Sequence, residues 1–518
     1  MINNITKFIS HNKKNFHFKK STSNKVFLIE FNGWYFIHII FSYLSNYFKN
    51  KKNYKIIAYE SFELMNKKKQ SFFQRVFWKI GTKVGIKTFN IFKSIGVDEY
   101  IRPEYNKKIL SDASKKYYDL KRNLNNKSLE DLKINNVWIG DLIYDSFLKK
   151  FKLSTIKSFN DKKFLNFFYD SIKFFLFWEN YIKNNNIQAI CGCHEVYLTG
   201  IPLRIANSLN IKTLAISNLS VINISKRVDF IKKNTSEYFK IKTQKNILKK
   251  DLKKIGKSKI NLAGKNILLN QLSGKSRIFY MRKNFYTKKF KKGVKDSKKI
   301  NVIIFAHNFD DAFHVHGNNI FEDYKRWFYF LEKIIKKTDY TWFIKNHPSN
   351  DKMTKIEIQN LCRKFKNIKL IKSDFPNNEL INLGINYGLT LYGTVSSEMS
   401  YYGMKMINGN LNNPHCEFNF SYTPKSLDDY EKKLLNLKKF KFKINYEELY
   451  QYHYIKNKLL NQNIFFENFN KFSTYKQKKS VLYTDEVLKL WIRDFDQTKH
   501  KKIIKKLEKF IPSSRYHL

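Results

Sequence analysis

The chain has few cysteines, few prolines and few acidic residues for its length. Its 4 cysteines include Cys191 and Cys193, but no second pair stands at zinc-site spacing, which excludes a zinc ribbon and a disulfide framework. The 7 prolines and the 17% aromatic content exclude a disordered chain. No run of about 18 apolar residues is present, and the first residues lack the features of a signal peptide. We therefore expect buried, reduced thiols in a cytoplasmic protein.

The charge of the chain is strongly one-sided. Lysine and arginine number 98 against 43 acidic residues, and the net charge is +55. Such an excess is typical of proteins that bind nucleic acid, anionic lipid or an acidic polymer. It is also what a lysine-rich genome produces, and the lysines are spread along the whole chain without an RNA-recognition or zinc-finger pattern. We favour the second interpretation and expect no nucleic-acid partner, while peripheral contact with the inner face of an anionic membrane stays open.

Strands and helices alternate in a way that predicts two doubly wound α/β domains. A βαβ opening runs from the strand Lys25–Glu30 to the strand Tyr54–Tyr59, and Lys67–Ile101 is predicted as a helical insertion. A second domain opens with the strand Ile300–His307. The predicted divisions are a loosely ordered basic lead-in at 1–24, an N-terminal Rossmann-like domain at 25–224, a linker region at 225–299, a C-terminal Rossmann-like domain at 300–425, and C-terminal helices at 426–518.

The stretch 387–409 carries the most specific local pattern. A short apolar strand is followed by Gly393 and Thr394, and Ser396 or Ser397 is predicted to cap a short helix that Gly403 ends. A strand, a tight turn and a helix start together form a phosphate site, because free N–H groups and the positive helix end point at the ligand. An ordinary strand-to-helix crossover would have the same pattern.

A second segment strengthens the phosphate interpretation. The strand Thr341–Ile344 is followed by Lys345, His347 and Pro348. Ligands of open α/β sheets collect outside the carboxyl ends of the strands, so this segment and the 394–397 turn are expected at one crevice. Lysine and histidine are suitable partners for a phosphate group.

These two segments resemble a known family. Lys-x-His-Pro at 345–348 with Gly-Thr-x-x-Ser-Glu-x-x-x-x-Gly at 393–403 is similar to the nucleotide-binding half of GT-B glycosyltransferases, within the bacterial capsule and surface-polysaccharide proteins that include Kdo transferases and, distantly, polysialyltransferases. The pattern covers roughly residues 130–425. The resemblance implies an α/β, GT-B-like fold with two Rossmann-like domains facing a cleft and extra helices at the C-terminus.

The resemblance also implies roles for the matching residues. The expected donor is a nucleotide-activated sugar, and CMP-linked sugars are among the forms that the resemblance implies. Its phosphate is expected to contact Lys345, His347, Thr394, Ser396 and Ser397. Glu398, in the first helical turn, is expected at the ribose. Neutralisation of the phosphate at a helix end needs no metal, so a metal-independent transferase without a cofactor is expected.

Two further segments contain candidate catalytic residues. His194 and Glu195 follow the apolar strand Gln188–Cys193, where an acceptor site would find its general base, although a loop histidine and glutamate making local bonds would have the same pattern. The segment 307–316 contains Asp310 and Asp311 with three histidines. It could bind a metal, but its spacing matches no zinc motif, and we favour contact with donor or acceptor. For Asp141 we favour a structural role over a catalytic one.

The leading hypothesis is a glycosyltransferase of capsule or surface-polysaccharide synthesis that transfers a sugar to a glycan or lipid-linked acceptor. The alternative is a non-catalytic polysaccharide-binding or export-coupling protein on a degenerate transferase fold. The alternative would not need the combination of Lys345, His347 and the Ser/Thr turn, so the combination favours the enzyme.

Overall fold

The structure is a computed structural model, and the chain divides into two compact units. Unit 1 comprises Met1–Lys150, Ser158–Lys232 and Asn461–Leu518, and unit 2 comprises Phe151–Lys157 and Lys233–Leu460. None of the helices in the described part of the chain is long and apolar enough to cross a membrane. The residues described are 3–65, 76, 78–86, 88–217, 219–224, 235–273, 299–309, 311–317, 319–347, 351–461, 464–466, 475–476 and 479–518.

The strands and helices are numbered here in chain order. The strands are β1 (Val26–Glu30), β2 (Lys55–Tyr59), β3 (Glu99–Ile101), β4 (Lys133–Ile134), β5 (Val137–Trp138), β6 (Ile187–Gly192), β7 (Lys212–Ser217), β8 (Ser220–Asn223), β9 (Asn301–Phe305), β10 (Thr341–Lys345), β11 (Ile368–Ile371), β12 (Tyr387–Thr390), β13 (Lys405–Asn408), β14 (Tyr475–Lys476) and β15 (Lys479–Ser480). The α-helices are α1 (Asn4–Asn15), α2 (Tyr35–Ser45), α3 (Thr88–Ser94), α4 (Lys107–Lys121), α5 (Asn126–Glu130), α6 (Gly140–Phe151), α7 (Lys162–Asn184), α8 (Ile201–Ser208), α9 (Ser236–Ile255), α10 (Lys257–Leu272), α11 (Tyr324–Lys336), α12 (Lys352–Lys364), α13 (Val395–Tyr401), α14 (Leu427–Leu435), α15 (Tyr446–Asn461), α16 (Glu486–Arg493) and α17 (Gln497–Phe510).

Unit 1 is built on a six-stranded sheet in the order β3-β2-β1-β6-β7-β8. All neighbours pair in parallel except β7 and β8, which are antiparallel. The strand β1 is buried along its whole length, as expected for a strand covered by helices on both faces. The predicted βαβ opening is therefore confirmed.

Several predicted elements of unit 1 are corrected. Residues 1–24 were predicted as loosely ordered, but α1 begins where the Asn3 side chain accepts the N–H of Thr6 at 2.8 Å, and Phe8 and Phe16 are buried. The predicted helical segment Lys67–Ile101 ends in the strand β3, and its predicted Phe72–Phe77 stripe lies outside the described residues apart from residue 76. A single helix was predicted at Glu486–Phe510. It is two helices, because Asp496 accepts the N–H of Lys499 and starts α17.

Unit 2 has a five-stranded parallel sheet in the order β11-β10-β9-β12-β13. On one face it packs against α11, where the predicted inner residues Trp327, Phe328 and Leu331 are all 0% exposed. The other face packs against a second core that joins α10, α13 and α15. A helix predicted at Asn377–Leu383 is a single 3-10 turn at Asn377–Leu380. The helices α9 and α10 lie in the region predicted to contain the linker.

Candidate functional site

The strand order of unit 2 defines one candidate ligand position. From β9 the chain proceeds to β10 and β11 on one side, and then crosses to β12 and β13 on the other side of β9. The winding direction therefore reverses between β9 and β12. In open α/β sheets, ligands bind outside the carboxyl ends of the strands at this point. The segments after β9, β10 and β12 contain the residues that the sequence analysis selected.

His307 joins the carboxyl ends of β9 and β12. Its Nε2 accepts the N–H of Leu391 at 3.1 Å and lies 2.9 Å from the hydroxyl of Thr390, which in turn accepts the N–H of Gly393. Since Nε2 accepts a backbone N–H, the neutral ring carries its proton on Nδ1. Burial lowers the pKa of His307 to about 3, with smaller effects from His347 and His316. His307 therefore stays neutral and holds the turn before α13 in place.

His347 lies at the same edge of the sheet. It follows β10 and is half-buried. Burial lowers its pKa, and the carboxylates of Asp311 and Asp351 act in the opposite direction. The N–H of Ala306, which follows β9, donates to Lys345 O at the end of β10 at 3.0 Å, so the segments after these two strands leave the sheet side by side. A half-buried neutral imidazole beside the switch point can donate a hydrogen bond to an anionic ligand.

Lys345 is buried at the end of β10. The family resemblance implies that it contacts the donor phosphate; in the structure it is 4% exposed, and its Nζ donates to Phe375 O at 2.5 Å and to Asn377 Oδ1. Burial lowers the pKa of Lys345 to about 8. The ammonium group thus ties the end of β10 to the segment before β12, which is a structural role that its position in the motif did not reveal.

The turn from β12 into α13 has a different cap from the one predicted. Ser396 or Ser397 was expected to cap the helix, but Thr394 occupies the N-cap position without a side-chain cap bond, and Ser397 Oγ donates to Thr394 O at 3.0 Å. Ser396, Ser397 and Glu398 are all buried, and Glu398 lies in the first turn of α13 as predicted. The predicted helix is confirmed at Val395–Tyr401, and Gly403 ends it with φ +94°.

The loop after β9 also reaches this edge. Asp310 lies outside the described residues, and Asp311 is exposed and accepts the N–H of Ala312 at 3.0 Å. The ring of His316 contacts that of Tyr392 at 5.0 Å, edge to face. Within the described ranges no group of three or more His, Cys, Asp or Glu side chains is arranged to hold a metal ion.

Unit 1 has a switch point of its own, between β1 and β6. There Glu30 is fully buried, and its carboxyl accepts the N–H of Cys193 at 2.6 Å and the hydroxyl of Ser61. The Cys193 thiol lies 2.5 Å from the same carboxyl. Burial raises the pKa of Glu30 despite these bonds. Sequence analysis missed Glu30, because nothing marks its contact with Cys193, which is 163 positions away.

His194 and Glu195 follow directly at this edge. The His194 ring lies 5.0 Å from the ring of Trp34 and 6.2 Å from that of Tyr197. Burial, with a smaller effect of Lys149, lowers the pKa of His194 to about 4. Tyr197 has φ 60° and ψ −176°, a region that is nearly restricted to glycine and that costs about 1–3 kcal/mol. Such strain concentrates at functional sites and favours a functional role for this turn.

The Asp141 carboxylate has the structural role that the sequence favoured. It forms a bidentate pair with Arg204 at 2.6 and 2.7 Å, and both side chains are nearly fully buried. Arg204 also donates to Trp138 O and lies over the Trp138 ring. The pair is thus enclosed and fixes α6 against α8.

The comparisons with known proteins give structural likenesses only. No family model matches the chain, and no curated protein matches it. Solved structures that resemble it include Thermosulfurimonas dismutans KpsC, a beta Kdo 2,4 transferase, at 12% identity and TM-score 0.32, covering 52% of this chain and 79% of that one. A second is the Neisseria meningitidis UDP-GlcNAc 2-epimerase bound to UDP-GlcNAc, at 10% identity and TM-score 0.23, covering 91% and 100%. A third is Acinetobacter baumannii MurG, at 9% identity and TM-score 0.18, covering 94% and 95%.

These TM-scores are low, so the fold class rests on the two sheets themselves. Each sheet has parallel strands, helical crossovers and a reversal of winding next to its first strand. Two Rossmann-like units in one chain are what the family resemblance implies. The chain is an α/β protein of this GT-B-like class, as the sequence predicts.

Proposed function

We propose that the chain is a glycosyltransferase of capsule or surface-polysaccharide synthesis that uses a nucleotide-activated sugar. The observation that carries the proposal is that the segments after β9, β10 and β12, which contain His307 and His347, leave the sheet at the switch point of unit 2. This is where open α/β sheets hold nucleotides. The two motifs of the family resemblance supply His347 and the turn after β12.

The donor phosphate is bound by His347 and by the turn from Thr394 to Ser397. An anionic phosphate beside His347 opposes the effect of burial and raises the pKa of the imidazole, so that both ring nitrogens donate. The N–H groups of Ser396, Ser397 and Glu398 already donate to Gly393 O and Thr394 O, so the start of α13 contributes its positive potential to the phosphate. Glu398 contacts the ribose. Lys345 contributes positive potential from its buried position instead of direct contact.

The acceptor is activated in unit 1 by His194 and Glu195. The acceptor oxygen attacks the anomeric carbon, the bond between that carbon and the phosphate oxygen breaks, and the acceptor proton passes to Glu195 or to neutral His194. The depressed pKa of His194 keeps it unprotonated near neutral pH. Asp311, exposed beside His347, is a further candidate for contact with the sugar.

A nucleotide screen tests the proposal. Purified protein is heated with CMP, CDP, UDP or GDP, and the unfolding temperature is followed. A nucleotide at 100 times its Kd should stabilise the protein by about 2.7 kcal/mol. The sugar nucleotides that contain the stabilising nucleotide are then tested as donors in a transfer assay. Failure of all four nucleotides, together with stabilisation by an anionic polysaccharide, would favour the non-catalytic polysaccharide-binding alternative.

A further inference from the structure

Partly exposed aromatic side chains collect at the carboxyl ends of the strands in unit 1. Most tryptophans of the chain are buried, but Trp34, which follows β1, keeps part of its surface open. Phe62, which follows β2, is also only partly buried, and Tyr483 from the C-terminal segment is 42% exposed. Aromatic surface left open where α/β sheets bind their ligands indicates a binding role.

The rings of these residues contact one another and His194. The ring of Trp34 lies 6.1 Å from that of Phe62, 6.2 Å from that of Tyr483 and 5.0 Å from that of His194. The rings of Phe62 and His194 are 6.4 Å apart. The planes of these pairs meet at 60° to 80°, so within the described part of the chain no ring stacks flat on Trp34. We refer to Trp34, Phe62 and Tyr483 as the aromatic wall.

The loop that carries Trp34 is held in place by Asn32. Its Oδ1 accepts the N–H of Trp34 at 2.9 Å, and its Nδ2 donates to Glu30 O at 3.0 Å. Gly33 is exposed, and a Cβ in place of its hydrogen would have no heavy atom within 4 Å beyond its chain neighbours, so the exit of β1 borders open space. A ligand surface that is already ordered loses little entropy when it binds.

The chemistry of the wall fits a sugar ring better than a hydrocarbon chain. The face of an aromatic ring is electron-rich, and the C–H bonds on one face of a pyranose are weakly positive, so the two attract each other. Among the described residues, the hydrogen bonds of Trp34 and His194 come from their backbones, which leaves the indole N–H and the imidazole nitrogens to a ligand. A hydrocarbon chain would bury these polar groups unpaired, whereas sugar hydroxyls pair with them.

We propose that the aromatic wall binds a pyranose ring and that the acceptor therefore ends in a sugar. The apolar face of the ring stacks on Trp34, and Phe62 and Tyr483 enclose its edges. Because His194 adjoins both Trp34 and Phe62, a hydroxyl of the bound ring lies beside the imidazole. The sugar site is inferred from the wall itself, whereas its role as the acceptor site rests on the proposed function.

Fluorine NMR of the full chain labelled with 5-fluorotryptophan tests the sugar site without any donor. The signal of Trp34 is identified by its loss in Trp34→Phe. Methyl β-glucoside and methyl β-galactoside should shift this signal at millimolar concentrations. Mannitol, which has the hydroxyls but no rigid ring face, should not. Absence of a shift with both glycosides would overturn the site, and so would a shift caused only by hexanol or only by CMP or UMP, which would assign a hydrocarbon chain or a nucleobase.

A pair of tyrosine variants tests whether the wall acts as one site. Tyr483→Leu removes an aromatic edge and should weaken glycoside binding about threefold to tenfold, as read from the Trp34 signal. Tyr118→Leu is the matched control, because Tyr118 on α4 is 62% exposed and lies outside the wall. The control should bind like the wild type. Wild-type affinity in Tyr483→Leu, with the other tryptophan signals unchanged, would contradict the wall.

Transfer kinetics test the acceptor role separately. Trp34→Leu should raise the KM for the acceptor about threefold to tenfold and leave kcat and nucleotide affinity nearly unchanged, and Trp34→Phe should recover part of the loss. An unchanged KM in Trp34→Leu would overturn the acceptor role. If the glycosides shift the Trp34 signal but no nucleotide binds, the proposed function fails and the sugar site stands. If a nucleotide binds and transfer occurs but no glycoside shifts the signal, the sugar site alone is wrong.

Discussion

Replacement of His307 tests whether its ring organises the edge of the sheet in unit 2. His307→Ala removes the acceptor of the Leu391 N–H and leaves a cavity beside Tyr324, on which the ring stacks at 5.3 Å. An orphaned buried amide costs about 1–3 kcal/mol, and an aromatic-to-alanine change in a core costs about 3–5 kcal/mol. We expect the free energy of unfolding of unit 2, measured in urea, to fall by about 3–5 kcal/mol. Nucleotide binding should be lost as well.

Two further variants of His307 separate the effect of its hydrogen bond from the effect of its ring. His307→Gln keeps an acceptor near the position of Nε2 and loses the ring, so a cost of about 1–2 kcal/mol is expected, and binding should be largely kept. His307→Phe keeps the ring and loses the acceptor, at about 1–3 kcal/mol, and should lose binding. Wild-type binding in His307→Phe would refute the idea that this hydrogen bond holds the turn.

The pH dependence gives an independent check on the same residue. The pKa of His307 is depressed from 6.5 to about 3 in the folded protein, so below pH 6.5 the unfolded state takes up a proton that the folded state does not. Its contribution to stability is therefore lost as pH falls, at about 1.4 kcal/mol per pH unit. The stability difference between wild type and His307→Gln should shrink by about 2 kcal/mol from pH 7 to pH 5. A constant difference would mean that folding does not shift the pKa of His307.

Three other variants have distinct expected results. Lys345→Met should lower the melting temperature yet change nucleotide affinity by less than about threefold, since its ammonium bonds to protein oxygens; a larger change would place it at the ligand. Asp141→Asn should destabilise unit 1 by about 3–5 kcal/mol because it leaves the Arg204 charge buried and unpaired, and wild-type urea unfolding would contradict this. Glu195→Gln should abolish transfer and leave nucleotide affinity unchanged, whereas full transfer activity would remove Glu195 from the mechanism.

The strands and their exits could be predicted from the sequence because their signals are local. Short apolar runs, the glycines after them and the helical stripe of Trp327, Phe328 and Leu331 require no knowledge of distant residues. The candidate residues His347 and Thr394 followed from the same logic, since each comes directly after a strand. The order of the strands around β9 then brings those exits to one edge.

The contacts that stabilise the carboxyl ends of the strands in the two sheets could not be predicted from the sequence. His307 bonds to a turn 83 positions away, and Glu30 bonds to Cys193 across 163 positions. Lysine is usually a surface residue, yet Lys345 is buried and its ammonium group donates to the carbonyl of Phe375. Burial of a polar side chain depends on which distant segment covers it, and the local pattern does not contain that information.

The most direct test of the donor site is calorimetric titration of His347→Ala with the best nucleotide from the screen. The account predicts a loss of about 1–3 kcal/mol in binding free energy, the scale of a hydrogen bond to a charged group, in a protein that still melts like the wild type. Unchanged affinity in the folded variant would contradict the assignment of this edge to the nucleotide.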